Sequence, residues 1–269
     1  RMWRLGQFED EEGAFLPFPQ SEENLSRWTA DVLLYAGCDE ADCGDHADND
    51  ADGEIDEFRP FYFAPEIALE KGFDLVVAGT GDRSNSCNRR TADRILAVRD
   101  NHRTSRLSAE AGDLVNLDDA TPNLDLPAAD VDQNDRDDLG FFLALNPGEK
   151  VLAEAVVFYR IIYMTSFEPN DVPCVPGGNS WLYALEYKTG APKIPIDENG
   201  TMARRKNIGG GIASDPVVII NEGDAKLMIS VGEANPDEDS ESTGAGVSRS
   251  EPPSPPPSLF LRWWQELFD

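Results

Sequence analysis

Residues 64–82 read APEIALEKGFDLVVAGTGD, two short apolar runs in quick succession, the first opened by a proline and the second closed by glycines. Each run is too short for a typical helix, is rich in strand-forming side chains and is bounded by turn residues, so both read as strands. Only a few residues separate them, which makes the pair antiparallel, because a parallel pairing needs a crossover of about a dozen residues. DRILAVRD at 93–100 adds a third strand.

The same order recurs twice downstream. LAEAVVFY (152–159) is followed by RIIYMTSF (160–167) and SWLYALEYKTG (180–190), and IASDPVVII (212–220) by AKLMISVG (225–232). Strands are expected near 28–35, 61–69, 74–80, 94–99, 152–159, 161–167, 181–187, 215–220 and 226–231. A repeated antiparallel unit of three or four strands, closed by a turn such as Tyr187-Lys188-Thr189-Gly190, is what a β-propeller blade looks like in sequence. The fold class expected is therefore all-β: antiparallel meander blades of a partial, modified β-propeller with long acidic loops. An ordinary β-sandwich of short strands is the plainer alternative, and the repeated spacing favours the propeller.

Charge excludes several functions. Lys and Arg number 23 against 51 Asp and Glu, for a net charge of −28. So acidic a surface repels phosphate backbones and anionic headgroups, which argues against nucleic acid as a partner. No apolar run approaches the roughly 20 residues of a membrane-spanning helix. The chain opens Arg1-Met2-Trp3 without an apolar leader, which reads as a fragment or a processed product.

Three stretches depart from the strand pattern. Residues 36–58 and 100–139 are polar and acidic, and 232–258 is an acidic, Pro-rich stretch expected to form a disordered linker, since it lacks large apolar side chains. The domain reading is thus a partial propeller over 1–231 with an inserted loop at 45–59, the linker at 232–258, and a tail at 259–269. Phe260, Trp263, Trp264 and Leu267 make that tail too apolar to lie idle, and it is expected to return to the propeller as a closing strand.

The sharpest chemical signal is Asp48-Asn49-Asp50-Ala51-Asp52-Gly53-Glu54-Ile55-Asp56. Carboxylates at alternate positions turn toward a common centre, Gly53 permits the bend, the Glu54 carbonyl adds a ligand and Ile55 anchors the loop. These are the first nine positions of an EF-hand-type Ca2+ loop. The metal ligands expected are Asp48, Asp50, Asp52, Glu54 and Asp56, with Asp45 as a weaker helper. The twelfth position is Arg59 in place of a bidentate Glu, so another oxygen must complete the shell. A solvated acidic loop is the plain alternative here, and it wins for residues 130–138, which alternate but lack the turn glycine.

Catalytic constellations are scarce. His46 and His102 sit in polar loops, no G-x-S-x-G elbow occurs, and Gly79-Thr80-Gly81-Asp82 lacks the ending of a phosphate loop. No catalytic residue is assigned and the chain is read as a non-enzyme. Cys38, Cys43, Cys87 and Cys174 lie beside turn residues, as loop-pinning disulfides of an oxidising compartment would; Cys38 with Cys43 and Cys87 with Cys174 is one arrangement, and the pairing stays open.

Several segments in order carry a family resemblance: PFYFAPEIALEKGFDLVVAGTGDR (60–83), TADRILAVRD (91–100), GEKVLAEAVVFYRIIYMTSFEPN (148–170), CVPGGNSWLYALEYKTG (174–190) and IASDPVVII (212–220). Together they resemble the C-terminal propeller domain of the PilY family of type IV pilus assembly and tip-associated adhesin proteins. The resemblance implies a Ca2+-binding propeller at the cell surface, pilus tip or outer membrane, acting in pilus biogenesis and attachment. Minor pilins and a host or mineral surface are the partners it implies, and Asp48, Asp50, Asp52 and Asp56 match the Asp-rich loop of that domain.

At about 40–50 residues per blade the chain holds about three blades and part of a fourth. Residues 3–5 read as a late strand of a blade whose earlier strands are missing. A second polypeptide or precursor fragment is expected to supply the rest. Two other readings remain: a structural subunit coating or bridging an extracellular filament, and a fragment of a quinone-dependent propeller dehydrogenase.

Overall fold

The computed structural model describes residues 2–8, 15–16, 29–35, 59–70, 73–89, 91–100, 107–108, 114–117, 139–170, 177–195, 201–221, 224–234 and 246–250. In chain order the strands are β1 (Met2–Phe8), β2 (Phe15–Leu16), β3 (Thr29–Tyr35), β4 (Glu66–Glu70), β5 (Phe73–Gly79), β6 (Arg94–Asp100), β7 (Leu107–Ser108), β8 (Val115–Asn116), β9 (Gly140–Ala144) and β10 (Lys150–Val151). They continue as β11 (Val156–Phe158), β12 (Ile161–Pro169), β13 (Gly178–Glu186), β14 (Ile194–Pro195), β15 (Met202–Ala203), β16 (Arg205–Gly210), β17 (Val217–Asn221), β18 (Asp224–Val231), β19 (Glu233–Ala234) and β20 (Gly246–Ser250). A 3-10 turn at Arg83–Asn85 is the one helical element among the described residues.

Four sheets stack face to face. The first has the order β2-β1-β3-β7, the second β4-β5-β6-β9-β8, the third β10-β12-β13-β16-β19 with β11 also on β12, and the fourth β17-β18-β20; β14 and β15 form a separate ribbon. Chain order and spatial order largely coincide, as the short connections require. Two brief parallel pairings, β3 with β7 and β8 with β9, are added to the otherwise antiparallel ladders. β4 of the second sheet and β11 of the third touch each other, which is the radial arrangement of neighbouring propeller blades. The fold is all-β and propeller-like.

Strand periodicity explains why the central sheets read as continuous apolar runs. Successive side chains point to opposite faces, and here both faces are covered. On β5, Phe73, Leu75 and Val77 enter the core shared with the third sheet, while Val76 and Ala78 enter the core shared with the first. On β6, Ile95 and Ala97 go one way, Leu96 and Val98 the other. The third sheet repeats this. Ile162 and Met164 of β12, with Tyr183 and Leu185 of β13, face the second sheet, whereas Ile161, Tyr163, Leu182 and Ala184 face Leu227, Ile229 and Val231 around the fourth.

The Tyr187–Gly190 turn closes the third sheet and latches it to the second. The Glu186 carboxylate accepts from the backbone N–H of Lys188 at 2.9 Å and of Thr189 at 2.8 Å, and from the Thr189 hydroxyl at 2.9 Å. Gly190 takes φ of +67°, and a Cβ there would lie 2.4 Å from Leu117 Cδ1, so glycine is required twice over. From this turn the Tyr187 hydroxyl donates to the Glu70 carboxylate of β4, and Lys188 Nζ donates to Glu70 Oε2 at 3.0 Å. On the far side Arg160 lies 5.4 Å over the Tyr187 ring and 3.8 Å from Glu186. Arg160 and Tyr159 form the β11–β12 turn with φ of 65° and 50°, the left-handed pair that a two-residue hairpin demands.

Two expectations are corrected. Residues 232–258 are not all linker: β19 pairs with Gly209 and Gly210 of β16, and β20 pairs along β18 from Leu227↔Ser250 to Val231↔Gly246. Ladder bonds are made by the backbone, so Gly246-Val-Ser-Arg-Ser250 can serve as an added strand without large apolar side chains. The polar stretch 100–139 likewise hides structural anchors, since Leu114 is buried in the core beside the first sheet, and Val115 and Leu117 in the core beside the third. The tail at 259–269 lies outside the described residues.

Burial pushes the Glu70 carboxyl up, but the hydrogen bonds from Tyr187 and Lys188 outweigh it and leave its pKa lowered. Tyr187→Phe should cost about 1.5–3 kcal/mol at neutral pH, the range for a hydrogen bond to a charged group. Because the folded pKa is depressed, this stabilisation is complete above the ordinary carboxylate range and fades as pH falls through the lowered value. Urea denaturation of both proteins should show their difference narrowing in acid.

Candidate functional site

Asp45, Asp48, Asp50, Asp52, Glu54 and Asp56 lie outside the described residues, as do Cys38, Cys43 and Cys174. Cys87 follows the 3-10 turn as an exposed free thiol. Among the described residues no group of three or more His, Cys, Asp or Glu is placed to hold a metal.

The exit of the acidic loop is described, and it accounts for the departure at the twelfth position. Arg59 is buried, and its Nε donates to the carbonyl of Ala92 at 2.6 Å. This side chain is spent on fastening the end of the loop to the start of β6. Beyond it the chain continues through Pro60, whose carbonyl accepts from Gly81 N–H at 3.0 Å.

Next to this anchor lies a buried polar centre. Asp93 is fully buried, and its Oδ1 accepts from Thr80 Oγ1 at 2.8 Å, while Oδ2 is enclosed without a hydrogen-bond partner, as is Thr91 Oγ1. Lys150, also fully buried, donates from Nζ to the carbonyls of Asn88 and, at 2.8 Å, of Gly148. Burial pushes the Asp93 carboxyl up, against the opposing pull of Thr80, Lys150 and Arg59. Burial pulls the Lys150 ammonium down, against the support of Asp93 and Asp82. The backbone of the neighbouring residue, Val151, is clamped across the sheets by its N–H to Thr80 O at 3.0 Å.

One residue earlier, Glu149 forms the second half of the centre. It is fully buried and its carboxylate accepts from Ser166 Oγ, from the Tyr183 hydroxyl at 2.7 Å, from Asn146 N–H at 3.2 Å and from Arg205 Nη1 at 3.0 Å. Arg205 stacks 4.3 Å over the Trp181 ring, and Trp181 Nε1 donates to Glu168 Oε2 at 2.9 Å. With its carboxamide oxygen turned to the guanidinium, Asn146 accepts from Arg205 at 3.0 and 3.2 Å. Burial, with Glu149 beside it, pushes the Tyr183 phenol far up, so it stays a donor. With four donors on its two oxygens, Glu149 acts as a bolt joining the start of β10 to β12, β13 and β16. Residues 149 and 205 stand far apart in sequence, and no motif or spacing announces their pairing.

A cavity of about 560 Å³ opens where the last three sheets converge, lined by Arg83, Leu152, Ile212, Ser214, Asp215 and Ser230 among others. Its charged side chains also hold the junction: Arg83 Nη1 donates to Leu152 O at 3.3 Å, and Asp215 Oδ1 accepts from Glu154 N–H at 2.6 Å.

No family model matches the chain, and no curated protein matches it by sequence. Among solved structures it is similar to the crystal structure of the Pseudomonas aeruginosa PilY1 C-terminal domain, with a TM-score of 0.55 and 14% identity over 93% of this chain. The likeness is one of fold. The chain spans 55% of that domain, little more than half its length.

Two outcomes are expected. Glu149→Gln should cost about 3 kcal/mol in urea denaturation, the lower end for breaking a buried pair, because the Arg205 side chain is 34% exposed. Asp93→Asn keeps an acceptor for Thr80 and sets an N–H donor in place of the unpartnered oxygen. Since the folded pKa of Asp93 is raised, the wild type loses stability as pH climbs from the unfolded carboxylate range through that higher value. The melting temperature of Asp93→Asn relative to wild type should therefore rise over the same interval and level off above it.

Proposed function

We propose that this chain is a Ca2+-binding, non-enzymatic propeller component of a type IV pilus tip or its assembly machinery, acting in pilus biogenesis and surface adhesion. The observation that carries the reading is the fold likeness to the PilY1 C-terminal domain across 93% of the chain. The acidic loop supports it. Asp48, Asp50, Asp52, the Glu54 carbonyl and Asp56 supply five oxygen ligands in the EF-hand spacing, and such a site rigidifies its loop when filled. Arg59, fixed to Ala92, transmits that order to the start of β6. The working location is the cell surface, with minor pilins, the attachment surface and a second polypeptide or precursor fragment that supplies further blades as partners.

The metal assignment is tested by thermal melting with and without Ca2+. The wild type should be stabilised by the ion, and Asp56→Ala should lose that response; a variant that still responds as the wild type does would reject the ligand set. The pilus assignment is tested by deleting the gene in its own host. Surface pili should be lost, then restored by the wild type and not by Asp56→Ala.

A further inference from the structure

The cavity at the junction of the last three sheets carries one cation and one carboxylate on its lining, Arg83 and Asp215. Among the described residues no ion pair joins the two. Each is fixed instead to the short segment between β10 and β11: Arg83 Nη1 donates to Leu152 O at 3.3 Å, and Asp215 Oδ1 accepts from Glu154 N–H at 2.6 Å. Opposite charges sharing one cavity attract each other, and here the backbone of Leu152 to Glu154 keeps them apart.

Both groups are braced from behind. Arg83 opens the 3-10 turn and lies 5.5 Å over the Phe63 ring, so an aromatic face steadies the guanidinium as well as the Leu152 carbonyl. On the fourth sheet's side, the residue before Asp215 is tied down at three atoms. Ser214 N–H donates to Ser230 O at 2.9 Å, its Oγ accepts from Ser230 N–H at 3.0 Å and its carbonyl accepts from Thr165 Oγ1 at 3.1 Å. A guanidinium has five N–H donors and a carboxylate about four acceptor positions, so one backbone bond each leaves both able to take a ligand. Leu152 and Ile212 supply apolar wall, and Ile212 keeps 39% of its surface exposed.

Charge selects the class of ligand. A simple anion meets Asp215 on the lining, Asp82 beside Arg83 and a chain of net charge −28. A metal cation meets a single lining carboxylate, with Arg83 opposing it. A molecule that carries both charges and no net charge satisfies each side: its carboxylate takes the guanidinium fork and its ammonium the Asp215 carboxylate. An apolar body then rests against Leu152 and Ile212. The volume of about 560 Å³ lies within the roughly 300–1,000 Å³ of small-molecule sites.

We propose that this junction binds an amino-acid zwitterion, either free or as a short peptide whose two termini carry the charges. The proposal goes beyond the proposed function and rests on neither its calcium nor its pilus component.

The test is calorimetric titration of the full chain with leucine and leucyl-leucine, and with N-acetylleucine and leucinamide, which each lack one of the two charges. A zwitterion should bind, and the single-charge analogues should bind about 10–100-fold more weakly, the range for one hydrogen bond to a charged group. Whichever zwitterion binds more tightly tells a free amino acid from a peptide. Arg83→Gln and Asp215→Asn keep a donor for Leu152 O and an acceptor for Glu154 N–H, so both should match the wild type in circular dichroism. Arg83→Gln should lose only the preference for leucine over leucinamide, and Asp215→Asn only the preference over N-acetylleucine. General loosening of the junction would not produce that crossed pattern.

Amide NMR of the wild type supplies a readout free of substitutions: the zwitterion should shift Ser214, Ser230, Val231 and Gly232, which lie on the lining, and it should raise the melting temperature. No binding of either zwitterion at millimolar concentration, equal binding of the single-charge analogues, unaltered preferences in both variants, or shifts confined to other parts of the chain would each overturn the inference. The Ca2+ response in thermal melting is a separate measurement, so this inference and the metal assignment fail separately.

Discussion

Everything in this fold depends on sheets that are apolar on both faces. A strand such as Phe73–Gly79 buries alternate side chains in two different cores, so it needs a neighbour on each side. Each fully buried aliphatic or aromatic side chain contributes about 1.5–3 kcal/mol, whereas an exposed ion pair contributes about 0–1 kcal/mol. Stacking, rather than charge pairing, must therefore hold together a chain as acidic as this one. On β17 that cover is incomplete among the described residues, and Val217 and Ile219 stay exposed.

The charged groups that are buried lie where the stacking leaves backbone to be organised. Asn146 to Glu149 form the turn between β9 and β10, and the adjacent Glu149 and Lys150 turn their charges to different partners, the third sheet for one and the carbonyls of Asn88 and Gly148 for the other. Glu149 is matched donor for acceptor. Asp93 is not, and its enclosed oxygen beside Thr91 marks a place in the described core where burial opposes the charge. It lies next to Ala92, the carbonyl that holds Arg59, so the least satisfied part of the core adjoins the exit of the acidic loop.

Much of the fold was legible from the residues. The runs at 74–80, 94–99, 161–167 and 226–231 match β5, β6, β12 and β18 within a few residues, because short apolar stretches between turn signals have few other structures open to them. The Tyr187–Gly190 turn was legible for the same reason. What escaped was information carried by backbone or by distant pairing. β20 announces itself by no apolar pattern because a ladder needs only N–H and C=O groups. Leu114 and Leu117 are isolated anchors in a polar stretch, and the Glu149–Arg205 bolt joins residues that no periodicity relates. The acidic loop at 48–56 stands on its spacing alone, with Arg59 as its one described attachment.

The hairpin at Tyr159-Arg160 shows how this molecule ranks its priorities. Left-handed backbone disfavours such residues by about 1 kcal/mol or more each, and Asn-Gly would relieve it. Replacing them would also remove the guanidinium above Tyr187 and with it one side of the latch between blades. The local frustration is the counterpart of a global agreement: a sheet idealised in isolation here would be a better hairpin and a worse neighbour.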